Sequence, residues 1–91
     1  MYDLTGFQRD VLYAVAGLDE PHGLGIKDEL DNYYESEVNH GHLYPSLDEL
    51  AGKGLIEKDQ KNARTNVYTI TERGEREIEA RWEWEAQYTE A

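Results

Sequence analysis

The sequence predicts a mainly α, α+β fold in which three short helices precede a two-stranded hairpin and a last helix closes the chain. Three observations carry it. Apolar residues recur at helical spacing in three blocks up to Gly54. From Leu55 to Ile70 the pattern turns to β-branched and aromatic residues with a polar interruption, as in a hairpin. After Thr71 an acidic, aromatic-bearing stretch returns to helical character.

Met1 to Leu4 is a lead-in, and Thr5-Gly6-Phe7-Gln8 is a capping box, Thr-x-x-Gln, that satisfies orphan amides at a helix start. Phe7, Val11, Leu12 and Val15 supply the buried face of this first helix. Gly17 and Asp19-Glu20-Pro21 end it. His22-Gly23-Leu24-Gly25 opens a second helix reaching about Tyr34. Ile26, Leu30 and Tyr33 form its stripe, and Lys27, Asp28, Glu29, Asp31 and Asn32 its solvated face. Glu35 to Val38 is a turn.

The third helix, 39–53, has Asn39 as N-cap, Leu43, Leu47 and Leu50 as its buried stripe and Gly54 as the left-handed residue behind it. Pro45 removes one amide and crowds the preceding turn. Either regular helix starts near Tyr44, or it starts at Asn39 and bends at Gly41. Leu55-Ile56-Glu57-Lys58 and Thr65 to Ile70 are the strands, with 59–64 as a polar, partly basic tip. Thr71 caps a helix running to about Tyr88, with Glu72 and Glu75 favouring its dipole. The 91 residues are expected to form a single domain, 1–70 as the core and 71–91 as a C-terminal dimerisation helix.

Net charge is −11, which argues against phosphate until its distribution is considered. Residues 1–38 carry net −7 and 71–91 net −4, whereas 39–70 carry as many basic as acidic side chains. The middle third alone does not repel an anion. So acidic a remainder fits a high-salt, halophile-like cytoplasm, where the Debye length shrinks to ~3 Å and long-range repulsion is screened. The chain has no cysteine, hence no disulfide or thiolate metal site, and no apolar run near the ~20 residues of a membrane span. A cytoplasmic location follows as an expectation.

Helix, helix, helix, hairpin, helix is the order of a winged helix-turn-helix, whose third helix enters the major groove while the wing meets the backbone. On that reading Asn39, His40, His42, Tyr44 and Ser46 meet base edges or phosphates, Lys53 meets the backbone, and Lys61, Asn62 and Arg64 form the wing contact. Asn39 acts as a cap in either case. Tyr44 either reaches DNA or packs beside Leu47. Ile78 and Trp82 lie on one face of the last helix and Trp84 and Tyr88 on another, more aromatic area than one small body can bury. A partner chain is the expectation.

Specific residues carry a resemblance as well. Leu43-Tyr44-Pro45-Ser46-Leu47, continuing through Leu50 to Gly54-Leu55-Ile56, resembles the Leu-Tyr-Pro-x-Leu...Leu...Gly-Leu-Ile signature of PadR-like transcriptional regulators. His22-Gly23-Leu24-Gly25-Ile26 resembles that family's His-Gly-Tyr-x-Ile entry to the second helix, and Tyr68 to Gly74 its Tyr-x-Leu-Thr-x-x-Gly exit from the wing. The resemblance spans about Leu4 to Trp82. It implies a homodimeric repressor on double-stranded DNA, paired through the C-terminal helix, in the short form of the family. A small aromatic effector stacked on Trp82 and Trp84 is a further implication. The chain departs from the pattern in placing His40 and His42 where Lys or Arg are common.

Other function classes receive less support. A metal site of His22, His40 and His42 would need two rings that point ~200° apart on one helix. Carboxylates are scattered, no nucleophile has a base beside it, and Gly23-x-Gly25 follows no strand, so neither catalysis nor a cofactor is expected. The competing reading is a winged helix that docks a basic protein through its acidic faces and binds no DNA.

Overall fold

In the computed structural model, which describes residues 1–89, the chain runs α1 (Gly6–Gly17), α2 (Gly23–Tyr34), α3 (His40–Gly52), β1 (Ile56–Asn62), β2 (Thr65–Ile70) and α4 (Glu72–Ala86). The capping box at Thr5 is formed on both sides: Gln8 N–H donates to Thr5 Oγ1 and Thr5 N–H to Gln8 Oε1. Asn39 caps α3 and Thr71 caps α4 by the same chemistry, each through a side-chain oxygen. The end of α3 is a Schellman motif: Leu55 N–H reaches the Leu50 carbonyl and Gly54 N–H the Ala51 carbonyl, with Gly54 at φ +76°.

The third helix thus starts at His40, directly behind its cap Asn39, and runs through Pro45. Pro45 leaves the Gly41 carbonyl without its usual donor, and Gly41 is exposed, so water can serve it.

Val11, Leu12 and Val15 of α1, Ile26 and Leu30 of α2, and Leu43, Leu47 and Leu50 of α3 meet in one core, closed below by Leu55, Ile56 and Tyr68. Each such side chain contributes roughly 1.5 to 3 kcal/mol on burial, and together they fix α3 against α1. The antiparallel strands pair Ile56 with Ile70 through to Gln60 with Asn66, then bulge before Asn62 meets Thr65. Tyr68 N–H donates to the Pro21 carbonyl and His22 bridges Val67, so the segment ahead of α2 is stitched to the wing. This seam fixes the wing's angle to the helices.

Four expectations are corrected. Tyr33 is 73% exposed, and Tyr34, one residue on, turns inward instead. Lys27 belongs to the buried side of α2, where its ammonium meets Asp31 at 2.9 Å and Glu37 at 3.5 Å. The first strand continues to Asn62, leaving only Ala63 and Arg64 as the turn rather than all of 59–64. The last helix ends at Ala86, short of Tyr88, with Gln87 and Tyr88 in a closing turn; positions 90 and 91 of the expected C-terminal segment lie outside the described residues. No described helix is long and apolar enough to cross a membrane.

Candidate nucleic-acid interface

Of the residues singled out in the sequence, Asn39, His40, His42, Tyr44 and Ser46 lie on α3 or at its cap, but the helix divides them. Asn39 is exposed, and its Oδ1 accepts from Gly41 N–H at 2.6 Å. His40 is exposed and stacks on Tyr44 four residues on, ring centroids 5.8 Å apart. His42 points to the other flank and rests on Phe7 of α1 at 4.2 Å between centroids. Ser46 lies on the inner side. It is 5% exposed and its hydroxyl donates to the His42 carbonyl one turn back at 2.9 Å rather than facing outward. The two carboxylates of this face are engaged: Asp48 pairs with Lys58 at 3.3 Å, and Glu49 accepts from the Gln8 side-chain amide.

Tyr44 is 36% exposed and packs over Gly23 at the start of α2 rather than beside Leu47 alone. Around it a groove of ≈ 350 Å³ opens between the α2 start and the wing, lined by His22, Gly23, Leu24, Tyr44, Arg64, Thr65, Asn66 and Tyr68. His22 closes the α2 N-terminus, its Nδ1 accepting from Gly25 N–H at 3.0 Å. Leu24 is exposed at the rim. At the wing tip Asn62 Oδ1 accepts from Arg64 N–H at 3.0 Å, holding the turn that presents the exposed Lys61 and Arg64 side chains. Lys53 stands apart. It sits at the far end of α3 and binds Asp3 at 3.1 Å, an ammonium contact that lowers the Asp3 pKa.

The structure thus brings Tyr44 and Arg64 to one groove, with His40 stacked on Tyr44, and puts His42 on the α1 flank. Sequence reading missed His22, Leu24, Thr65 and Asn66 as groove residues. Their only signal was position, at the entry to the second helix and the start of the second strand.

A second exposed surface lies on α4. Ile78 is half-buried against the core, while Trp82, Trp84 and Tyr88 are 62%, 49% and 70% exposed. Trp84 contacts Tyr88 at 5.1 Å and carries the Arg81 guanidinium 4.6 Å over its ring. Trp82 also borders an apolar groove of ≈ 320 Å³ with Ala16, Ile70 and Ile78.

Comparison with known proteins assigns this architecture. The profile described as the transcriptional regulator PadR-like family matches residues 11–80. Among solved structures, RosR of H. salinarum superposes with a TM-score of 0.89 at 45% identity, covering 94% of this chain and 77% of that one. The complex hsRosR-S1 gives 0.90 at 45%, covering 96% and 77%. MarR gives 0.73 at 26%, covering 94% and 60%. No curated protein matches. The fold is a winged helix-turn-helix, and the chain belongs to the PadR-like family of transcriptional regulators.

Proposed function

We propose that this protein is a sequence-specific repressor that binds duplex DNA as a homodimer, α3 in the major groove and the wing on the backbone. The observation that carries this reading is that Tyr44 of α3, the start of α2 and the wing line one groove, and that α3 and the wing belong to the stretch 39–70, which has no net charge. His40, His42 and Tyr44 then meet base edges or phosphates, with Asn39 beside them as the cap. Lys61, Asn62 and Arg64 meet the backbone. Ser46 and Lys53 are left out of the set, the first because it is turned inward and the second because Asp3 holds it at the far end of the helix.

The few cations on this face suit a protein working at high salt in the cytoplasm, where counterion release contributes little and hydrogen bonds and close fit carry recognition. Similarity to RosR of H. salinarum and the net charge of −11 support that setting. The exposed Trp82, Trp84 and Tyr88 support pairing through α4, and the apolar groove beside Trp82 is where a flat aromatic effector would sit.

Selection of duplexes from random DNA at molar KCl tests the reading. A defined motif, bound on the order of 10-fold or more weakly by a His42→Ala, Arg64→Ala variant, is the expected result. No duplex binding at any salt, together with capture of a basic protein on the acidic faces, would favour an interaction module instead.

A further inference from the structure

His40 and His42 differ in what holds them. The ring partner of His40 is Tyr44, a residue of its own helix. His42 rests on Phe7, which belongs to α1; centroids are 4.2 Å apart and the planes 37° from parallel. Phe7 is half-buried and stacks in turn on Tyr34 of α2, at 6.2 Å and 22°. The Tyr34 hydroxyl donates to the Asp10 carboxylate of α1. Burial and that bond push the Tyr34 phenol far above its ordinary pKa, so the hydroxyl stays a donor across the physiological range. The next residue after Phe7, Gln8, ties the same turn of α1 to Glu49 on α3.

We infer that Phe7, braced by Tyr34 and Asp10, is a positioning residue for DNA recognition: it sets the His42 ring in its reading pose before DNA arrives. This rests on the reading of α3 as the DNA-reading helix. An exposed histidine on a helix otherwise samples several rotamers and must lose that freedom on binding. A ring packed against Phe7 at 4.2 Å has less of that freedom to lose. The conformation of the α1–α2 corner thereby enters the affinity of a residue on α3 without touching DNA.

Phe7→Leu keeps apolar area but removes the ring face. In the DNA-free protein, the His42 ring protons are expected to lose the ring-current shift given by Phe7, while those of His40 stay in place. Affinity for the selected duplex is expected to fall about 3- to 10-fold, the range of one side chain's ordering cost. The loss should vanish in a His42→Ala background and be restored by Phe7→Tyr. In the wild type, a direct nuclear Overhauser contact between the Phe7 and His42 rings is expected and requires no variant. Its absence overturns the inference, as does an effect of Phe7→Leu that is the same with and without His42. Wild-type protein that binds no duplex overturns the functional reading and this inference with it. Wild-type binding with additive substitutions overturns this inference alone.

Discussion

Tyr44 of α3 lies across Gly23, the first residue of α2, so closely that a β-carbon at Gly23 would come within 2.7 Å of Tyr44 Cε1. The crowding is against the far end of a side chain that can swing about its own torsions. Gly23→Ala should therefore change stability by less than about 1 kcal/mol, since the cost of displacing the Tyr44 ring offsets the helical gain of alanine. It should nonetheless move the Tyr44 ring off the groove and weaken duplex binding by about 10-fold. Thermal melts and a titration of the selected duplex check the pair of outcomes; unchanged affinity would remove Tyr44 from the interface.

The same substitution at Gly74 should behave in the opposite way. There a β-carbon would run into the Leu55 carbonyl and within 2.8 Å of Ile70 Cγ1, and the Leu55 carbonyl is held by Thr71 N–H at 3.1 Å. Backbone has nowhere to retreat. Gly74→Ala is expected to cost about 1 to 3 kcal/mol, visible as a drop of roughly 4 to 8 °C per kcal/mol in the melting midpoint of so small a chain.

What was legible in the sequence was local. Thr5, Asn39, Gly54 and Thr71 act within one turn of themselves, so residue type and spacing identify their roles. The leucine stripe of α3 followed from periodicity alone. Misreadings arose where the packing of elements on one another decides which side chains are covered. Tyr33 fits the α2 stripe by spacing, yet Tyr34 turns inward because Phe7 and Asp10 of α1 receive it. Ser46 is tolerated inside because its hydroxyl finds the His42 carbonyl, a contact that shows in geometry and not in composition. The outer half of β1 is polar on both sides because the wing projects from the core, and an exposed ribbon carries no alternation to read. The groove around Tyr44 joins residues from 22 to 68 and becomes visible only once the wing is stitched to Pro21.

Acid should act on α2 through Asp31. Its carboxyl is held below the ordinary carboxylate range, first by the Lys27 ammonium at 2.9 Å and then by Val38 N–H at 2.6 Å. A lowered folded pKa means the unfolded chain takes up the proton first. The stability from Asp31 is thus fully present above its ordinary value of 3.8 and is lost as pH falls through the lower folded value. Asp31→Asn is expected to lower the melting midpoint near neutrality and to flatten its decline below about pH 4. Asp28→Asn, on the exposed side of the same helix, serves as the control. Equal acid profiles for both variants would show that the Asp31 contacts contribute nothing to folding.

The proposed pairing through α4 makes the last prediction. Trp82 and Trp84 are largely outside the protein's own core, so truncating them should leave the fold and its melting profile at high dilution intact. Tryptophans at the centre of an interface commonly contribute about 2 kcal/mol or more each. Sedimentation of a Trp82→Ala, Trp84→Ala variant should therefore show dimer dissociation at concentrations at least 10-fold above those of the wild type. Because a two-fold repressor gains affinity by engaging two half-sites at once, the same variant should also bind a palindromic duplex much more weakly while its contact with a single half-site is unchanged. Were the dimer to persist, the main interface would lie elsewhere, and the aromatic face of α4 would be left for an effector.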